Sequence, residues 1–280
     1  MENADNGKKL ITTFVLTRGY QGLQKLKYAY IVRRNRSIRK NLSISNAVHH
    51  IIFHEGNISN FDQYMLKRLS GLELQFVDVS SVFKPSMKHK IDWTTAPGLG
   101  YRLMCRFQYQ QVWEFLREYD VAIRIDEDCY IGSLSNLIPK QIMSVGYICG
   151  ESHKITNMTL PRELSKLNME SYYDHKFPYT NLFVTEVAFW LRADVQKFLE
   201  QIGEDPEALS NRWGDLPILG VALKAFGKWD YREGLDKSIK YTHMSHRARI
   251  SEGEYEEAQS DKTTRMFEIF GKFRSFLNQK

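Results

Sequence analysis

Along the first half of the chain, short apolar runs alternate with segments whose apolar residues recur every three or four positions. Leu10 to Thr17 (LITTFVLT) is a β-rich run ending at Arg18-Gly19, the pattern of a buried strand entering a turn. Leu23, Leu26, Tyr30 and Ile31 follow at helical spacing. His50 to His54 is a second strand candidate, Phe61 to Leu69 a second helix, and Leu74 to Val79 a third strand. This βαβαβ opening predicts helices packed on a mainly parallel sheet. After an irregular stretch from Ser80 to Gly100, a helix is predicted over Tyr101 to Tyr119. A fourth strand, Val121 to Ile125, then runs straight into Asp126-Glu127-Asp128.

Beyond that junction the order is less regular. Val145 to Cys149 and Asn181 to Leu191 read as strands, and Val195 to Ile202 and Pro217 to Phe226 as helices. Met266, Phe267, Ile269, Phe270, Phe273 and Phe276 recur at helical intervals in the tail. No internal repeat or low-complexity segment interrupts the chain. The expected organisation is one α/β domain over residues 1–250 with a helical appendage, 251–280, packed on it.

Composition narrows the partners. With 42% hydrophobic residues, including 16 Phe, 15 Tyr and 5 Trp, the chain can bury enough apolar area to offset its entropy, so disorder is excluded. No apolar run reaches the ~18 residues of a membrane span, and the opening MENADNGKK lacks a signal-peptide core. A soluble cytoplasmic protein is expected; the alternative is a Golgi-type protein cut free of its anchor. Cys105, Cys129 and Cys149 are an odd number at no metal-ligand spacing, against a disulfide framework or a zinc site.

The formal net charge of +6 admits nucleic acid, anionic membranes or phosphate-bearing small molecules as partners. Its densest run, Arg33 to Lys40, continues a helical pattern and is expected to be the solvated end of an amphipathic helix. No zinc-finger spacing, basic zipper or RNP-type motif supports nucleic acid. Two further patterns carry no weight. Gly98-Leu99-Gly100 lacks the third glycine of a dinucleotide fingerprint, and His50 and His54 sit in a strand-like run without a Glu partner.

Asp126-Glu127-Asp128 is different, because the C-terminal edge of a strand is where open α/β sheets place ligand chemistry. In an extended segment Asp126 and Asp128 project to the same side, where two carboxylates can hold Mg²⁺ or Mn²⁺ against phosphates. Alone, the tripeptide could equally be an exposed acidic turn. Its company is more specific: Tyr101 to Phe107 (YRLMCRF), Arg124 to Asp128 (RIDED), Phe189-Trp190, Arg212 to Pro217 (RWGDLP) and Tyr241-Thr242-His243. In this order and at similar spacing these segments resemble glycosyltransferase family 15, the fungal α-1,2-mannosyltransferases, and Thr13 to Arg18 resembles that family's first strand.

The resemblance, from about Thr13 to His243, implies a GT-A fold: a Rossmann-like, mixed but mainly parallel sheet flanked by helices. It implies that Asp126 and Asp128 face a metal, Mn²⁺ or Mg²⁺, and a nucleotide diphosphate, and that His243 completes the metal shell. Thr17, Arg18, Tyr101 and Arg106 match positions lining the nucleotide-sugar pocket, and Asp215 matches an aspartate beside the reacting sugar. Read alone, Asp215 would be a helix N-cap ahead of Pro217. The sequence departs from the family at Phe183, where a glutamate able to serve a retaining reaction is expected. Loss of that carboxylate favours inversion, which needs only one general base: Asp215 first, Glu186 second.

The chain also resembles small glycosyltransferases with which large algal viruses build capsid glycans, among them an inverting xylosyltransferase using UDP-xylose and a fucose acceptor. The expected function is therefore metal-dependent transfer of a sugar from a nucleotide-sugar donor to an oligosaccharide or glycoprotein acceptor. Inverting xylosyl transfer from UDP-xylose comes first and retaining mannosyl transfer from GDP-mannose second. A non-catalytic glycan-binding protein with a decayed GT-A site is the alternative outside the enzymes.

Overall fold

The computed structural model describes residues 10–42, 48–83, 98–133, 147–149, 152–154, 159–211, 213–227 and 240–243. The expected 251–280 appendage and Arg212 lie outside them. β1 (Ile11–Thr17) is buried along nearly its whole length, as a strand covered on both faces must be. A 3₁₀ turn, Gly22–Lys27, leads into α1 (Tyr28–Asn41), and β2 (Val48–His54) returns parallel to β1 with Ile11 opposite Val48. α2 (Asn60–Ser70) starts at Ser59, whose Oγ accepts the Asp62 N–H at 3.2 Å, and stops at Gly71 in the left-handed region. β3 (Leu74–Asp78) completes the βαβαβ unit parallel to β2.

The predicted helix over Tyr101 to Tyr119 is α3 (Leu99–Arg106), one π-helical turn (Phe107–Gln111) and α4 (Val112–Phe115). The wider turn shifts the helical phase, and Phe107, Tyr109, Val112, Trp113 and Leu116 are all buried. β4 (Val121–Ile125) then pairs parallel to the other side of β1, and β5 (Cys129–Ser133) follows. Next come β6 (Tyr147–Cys149), β7 (Ser152–Lys154), α5 (Leu160–Lys166), β8 (Lys176–Pro178) and β9 (Leu182–Glu186). The last elements are α6 (Val187–Trp190), α7 (Ala193–Glu204), α8 (Pro206–Ser210), α9 (Asp215–Phe226) and β10 (Lys240–His243).

The central sheet runs β3-β2-β1-β4-β9-β6, with four parallel strands followed by β9, antiparallel to both β4 and β6, the mixed, mainly parallel sheet expected. The predicted strand over Asn181 to Leu191 breaks after Glu186. There α6 turns Trp190 back to stack on Trp113 at 4.6 Å, its Nε1 donating to Thr185 Oγ1 at 2.9 Å. Among the described residues no helix is long and apolar enough to cross a membrane.

The basic run departs most from expectation. Arg34 is 1% exposed and Asn35 is buried beside it, so this part of α1 faces the sheet and not solvent. Backbone carbonyls compensate the guanidinium: Nε donates to Ile125 O at 2.7 Å and Nη2 to Phe14 O at 3.2 Å. A hydrophobicity pattern ranks arginine as a surface residue and cannot register such partners.

Candidate functional site

The acidic cluster does not continue the strand. Cys129 N–H donates to Asp126 O at 3.0 Å, closing a turn over residues 126–129, while Asp126 N–H is held by Asn181 O at 2.9 Å. The two-residue alternation of β4 therefore ends at Ile125, and the three carboxylates part company. Asp126 turns to Arg124, whose Nε reaches Oδ1 at 2.9 Å. Glu127 folds back to the end of β1, accepting from Thr17 Oγ1 at 2.6 Å and from the Tyr20 hydroxyl at 2.7 Å; burial raises its pKa. Asp128 stands beside His243, Oδ1 to Nε2 at 3.2 Å.

His243 arrives there because β10 pairs antiparallel with β5, His243 opposite Cys129. Donor atoms of Asp128, Cys129 and His243 lie within 4.8 Å of one another. Cys129 offers a soft sulfur, which suits neither Mg²⁺ nor Mn²⁺, and this leaves a carboxylate oxygen and an imidazole nitrogen as the useful pair. Their 3.2 Å separation suits two ligands of a single ion bound at ~2.1 Å from each, so the residues fit Mg²⁺ or Mn²⁺. Asp126, expected as a second carboxylate ligand, is not among the converging donors and is paired with Arg124 instead.

Arg124 also reaches across to α9. Its Nη1 donates to Asp215 Oδ2 at 2.5 Å, and Thr180 Oγ1 donates to the same oxygen at 2.8 Å. Burial alone would lower the guanidinium, but Asp126 and Asp215 together raise it above its ordinary value. Gly214 is the N-cap of α9, so Asp215, 2% exposed, is the first helical residue and not the cap.

The other expected residues divide into those beside this core and one far from it. Thr17 is joined to the turn through Glu127, and Arg18 is exposed, its guanidinium 5.9 Å from the Tyr20 ring. Tyr101 is 42% exposed on α3 and Arg106 ends that helix; between them, Cys105 lies against the Asp215 backbone. Glu186 requires correction. It pairs with Val121, at the start of β4, whereas Ile125 pairs with Leu182. The five-residue strand therefore sets Glu186 about 13 Å along the sheet from the acidic turn, at the opposite edge.

Sequence reasoning missed Arg124, Thr180 and Glu127. An arginine within a strand buried at every position was a usable signal, because a buried guanidinium needs acidic or carbonyl partners. The paired histidines set aside earlier are structural: His50 Nδ1 lies 2.7 Å from Thr13 Oγ1, and His54 Nδ1 accepts the Gly56 N–H at 3.1 Å.

No protein-family model matches the chain, and no curated protein sequence matches it. Solved structures do. Core-mannan synthase A of Aspergillus fumigatus, in its Mn/GDP form, superposes with a TM-score of 0.68 at 13% identity, covering 87% of this chain and 77% of that one. The mannosyltransferase Ktr4p of S. cerevisiae in complex with GDP gives 0.66 at 13% identity over 85% of this chain and 71% of that one. Mouse xyloside xylosyltransferase 1 in its apo form gives 0.51 at 8% identity, covering 77% of this chain and 82% of that one. The likeness is one of fold: this chain has the mixed α/β architecture of the GT-A glycosyltransferases.

Proposed function

We propose that this chain is a divalent-metal-dependent glycosyltransferase that moves a sugar from a nucleotide-diphosphate donor to a hydroxyl of a glycan acceptor. The observation that carries the reading is the Asp128–His243 pair at the C-terminal edge of β4, beside an Arg124-centred pair of carboxylates. The shared fold with a Mn/GDP-bound mannan synthase supports it.

When bound, the cation supplies positive charge against the diphosphate as it leaves. The chain's own groups do the rest. Asp128 and His243 hold the ion; Thr17, Arg18, Tyr101 and Arg106 line the donor pocket, the two arginines offering paired N–H donors to phosphate oxygens. Asp215 is the base. Arg124 and Thr180 fix its Oδ2, and Oδ1 accepts the proton of the acceptor hydroxyl. As that proton leaves, the acceptor oxygen bonds the anomeric carbon and the bond from that carbon to the diphosphate oxygen breaks, the electron pair departing with the diphosphate.

A single displacement inverts the anomeric centre. Phe183 supports this course: it is 1% exposed and set edge-on to Trp190, where a hydrocarbon can neither attack nor stabilise a cationic sugar. For the donor, the resemblance to the algal-virus enzymes favours inverting xylosyl transfer from UDP-xylose to a fucose acceptor, ahead of retaining transfer from GDP-mannose. Asp215→Asn tests it, because the amide removes proton acceptance but still accepts from Arg124. Transfer should fall by about 10²-fold or more with donor Kd nearly unchanged, and NMR of the wild-type product should show inverted configuration. Full activity in the variant removes Asp215 as base, and a retained configuration overturns the displacement. Absence of turnover across a panel of nucleotide sugars with Mn²⁺ leaves the glycan-binding alternative.

A further inference from the structure

The segment of α1 that the charge pattern assigns to solvent instead grips both flanks of the acidic turn. Arg34, Ser37 and Asn41 sit at i, i+3 and i+7, one face of the helix. Before the turn, Arg34 Nε holds Ile125 O at 2.7 Å, the carbonyl immediately preceding Asp126. After it, Ile131 N–H donates to Ser37 Oγ at 3.1 Å and Asn41 Nδ2 donates to Ile131 O at 2.7 Å. Asp128 lies between these anchors. Ser37 Oγ also donates to Arg34 O at 2.7 Å, and Arg34 Nη1 to Asn35 Oδ1 at 2.6 Å, so the gripping side chains are themselves held.

The sheet explains why such a grip is needed. β1 and β4 pair only as far as Phe14 opposite Arg124, and β1 continues beyond with β2 alone. The guanidinium of Arg34 spans the place where the two strands part, bonding Phe14 O on one side and Ile125 O on the other. A lysine ammonium keeps the charge but lacks the planar fork that fits two separated carbonyls. Among the described residues no carboxylate hydrogen-bonds Arg34. Burial draws its pKa down to about 10, opposed through space by Cys129, Asp126 and Glu127 on the turn above. An interior cation without a contacting anion is costly, and its retention is understood if it serves the acid-rich segment beside it.

We propose that Arg34, Ser37 and Asn41 form a clamp of positioning residues that sets where Asp128 stands for a divalent cation. The inference rests on reading that turn as the cation site. Two measurements on the full chain separate the inference from the reading: amide hydrogen exchange over residues 126–131, and Mn²⁺ affinity by electron paramagnetic resonance with Mn²⁺ alone. Arg34→Lys, Ser37→Ala and Asn41→Ala should each speed exchange in that turn by about tenfold and weaken Mn²⁺ by about tenfold, the effect expected of groups that orient a ligand. Ile202→Val, in α7 away from the turn, serves as the stability control.

The clamp is overturned if Ser37→Ala and Asn41→Ala, folded, keep both wild-type exchange and wild-type Mn²⁺ affinity. It is equally overturned if Ile202→Val loosens the turn and weakens Mn²⁺ as much as they do. Failure of the wild-type protein to take up Mn²⁺, or undiminished uptake by Asp128→Ala, sinks the cation reading instead. In that event the exchange measurement still judges the clamp.

Discussion

Replacing Arg124 by methionine leaves two carboxylates without the guanidinium that joins them. Asp215 is almost wholly buried and Asp126 about one-third exposed at its side chain, so most of the penalty falls on Asp215. Removing one member of a buried ion pair costs about 3–5 kcal/mol, chiefly because the remaining charge is desolvated and unpaired. Asp215→Asn alone is milder: the amide oxygen still accepts from Arg124 and Thr180, and only the charge-assisted part of those bonds is lost, about 1–2 kcal/mol. In the double variant the methionine no longer strands a charge at position 215, so the two losses should not add. A double-mutant cycle by urea denaturation should return a coupling of about 2 kcal/mol. Additivity within about 0.5 kcal/mol, with all four proteins unfolding in one transition, would refute the view that Arg124 and Asp215 form one electrostatic unit.

Other consequences are open to direct measurement. Asp128→Ala should abolish the Mn²⁺ dependence of nucleoside-diphosphate binding in calorimetry; unchanged dependence would exclude Asp128 as a ligand. Burial, with Arg34 and His49 nearby, lowers His50 to about 4, against about 6.5 in an unfolded chain. Below pH 6.5 the unfolded chain therefore takes up a proton that the native chain refuses, and stability falls as pH drops from about 6.5 to about 4. His50→Gln should flatten that limb by up to about 2 kcal/mol, discounted for partial exposure, and identical urea midpoints against pH in both proteins would contradict this. Gly220→Ala, ordinarily a gain of about 1 kcal/mol within a helix, should instead cost about 1–3 kcal/mol. The new Cβ would lie 2.4 Å from Phe177 Cδ1, and calorimetric Tm decides the sign.

The parallel half of the sheet was legible because β1, β2 and β4 each compress an apolar run between turn residues, and a strand covered on both faces has no other way to look. The motif order that spans the chain named Asp128 and His243 together, and the structure sets them 3.2 Å apart. Three features escaped, two of them because they depend on partners remote in sequence and one because a local turn overrides the strand pattern. Arg34 owes its burial to carbonyls of β1 and β4, which no local charge pattern reveals. Asp126 and Asp128 diverge because a turn hydrogen bond ends the alternation that would have aligned them. Glu186 looked close to the site in spacing, but antiparallel pairing carried it to the far edge of β4. Trp190 belongs with them, since its stack on Trp113 ends a strand that composition alone would extend.

The pairing of β10 with β5 has a bearing on the order in which the molecule becomes competent. The two donors of the Asp128–His243 pair come from opposite halves of the chain, and closing a loop of roughly a hundred residues costs about 4 kcal/mol of chain entropy. Contacts of such long range form late, because that entropy is lost before they contribute. An ion held between these donors would act as a clasp on the loop, adding about 2.7 kcal/mol at a hundredfold excess over its Kd. Chelation would then be felt first at β10, while the parallel strands stay paired. On that order, a folding chain would have Asp128 in place before His243, and the pair would be complete only once the last described strand has docked.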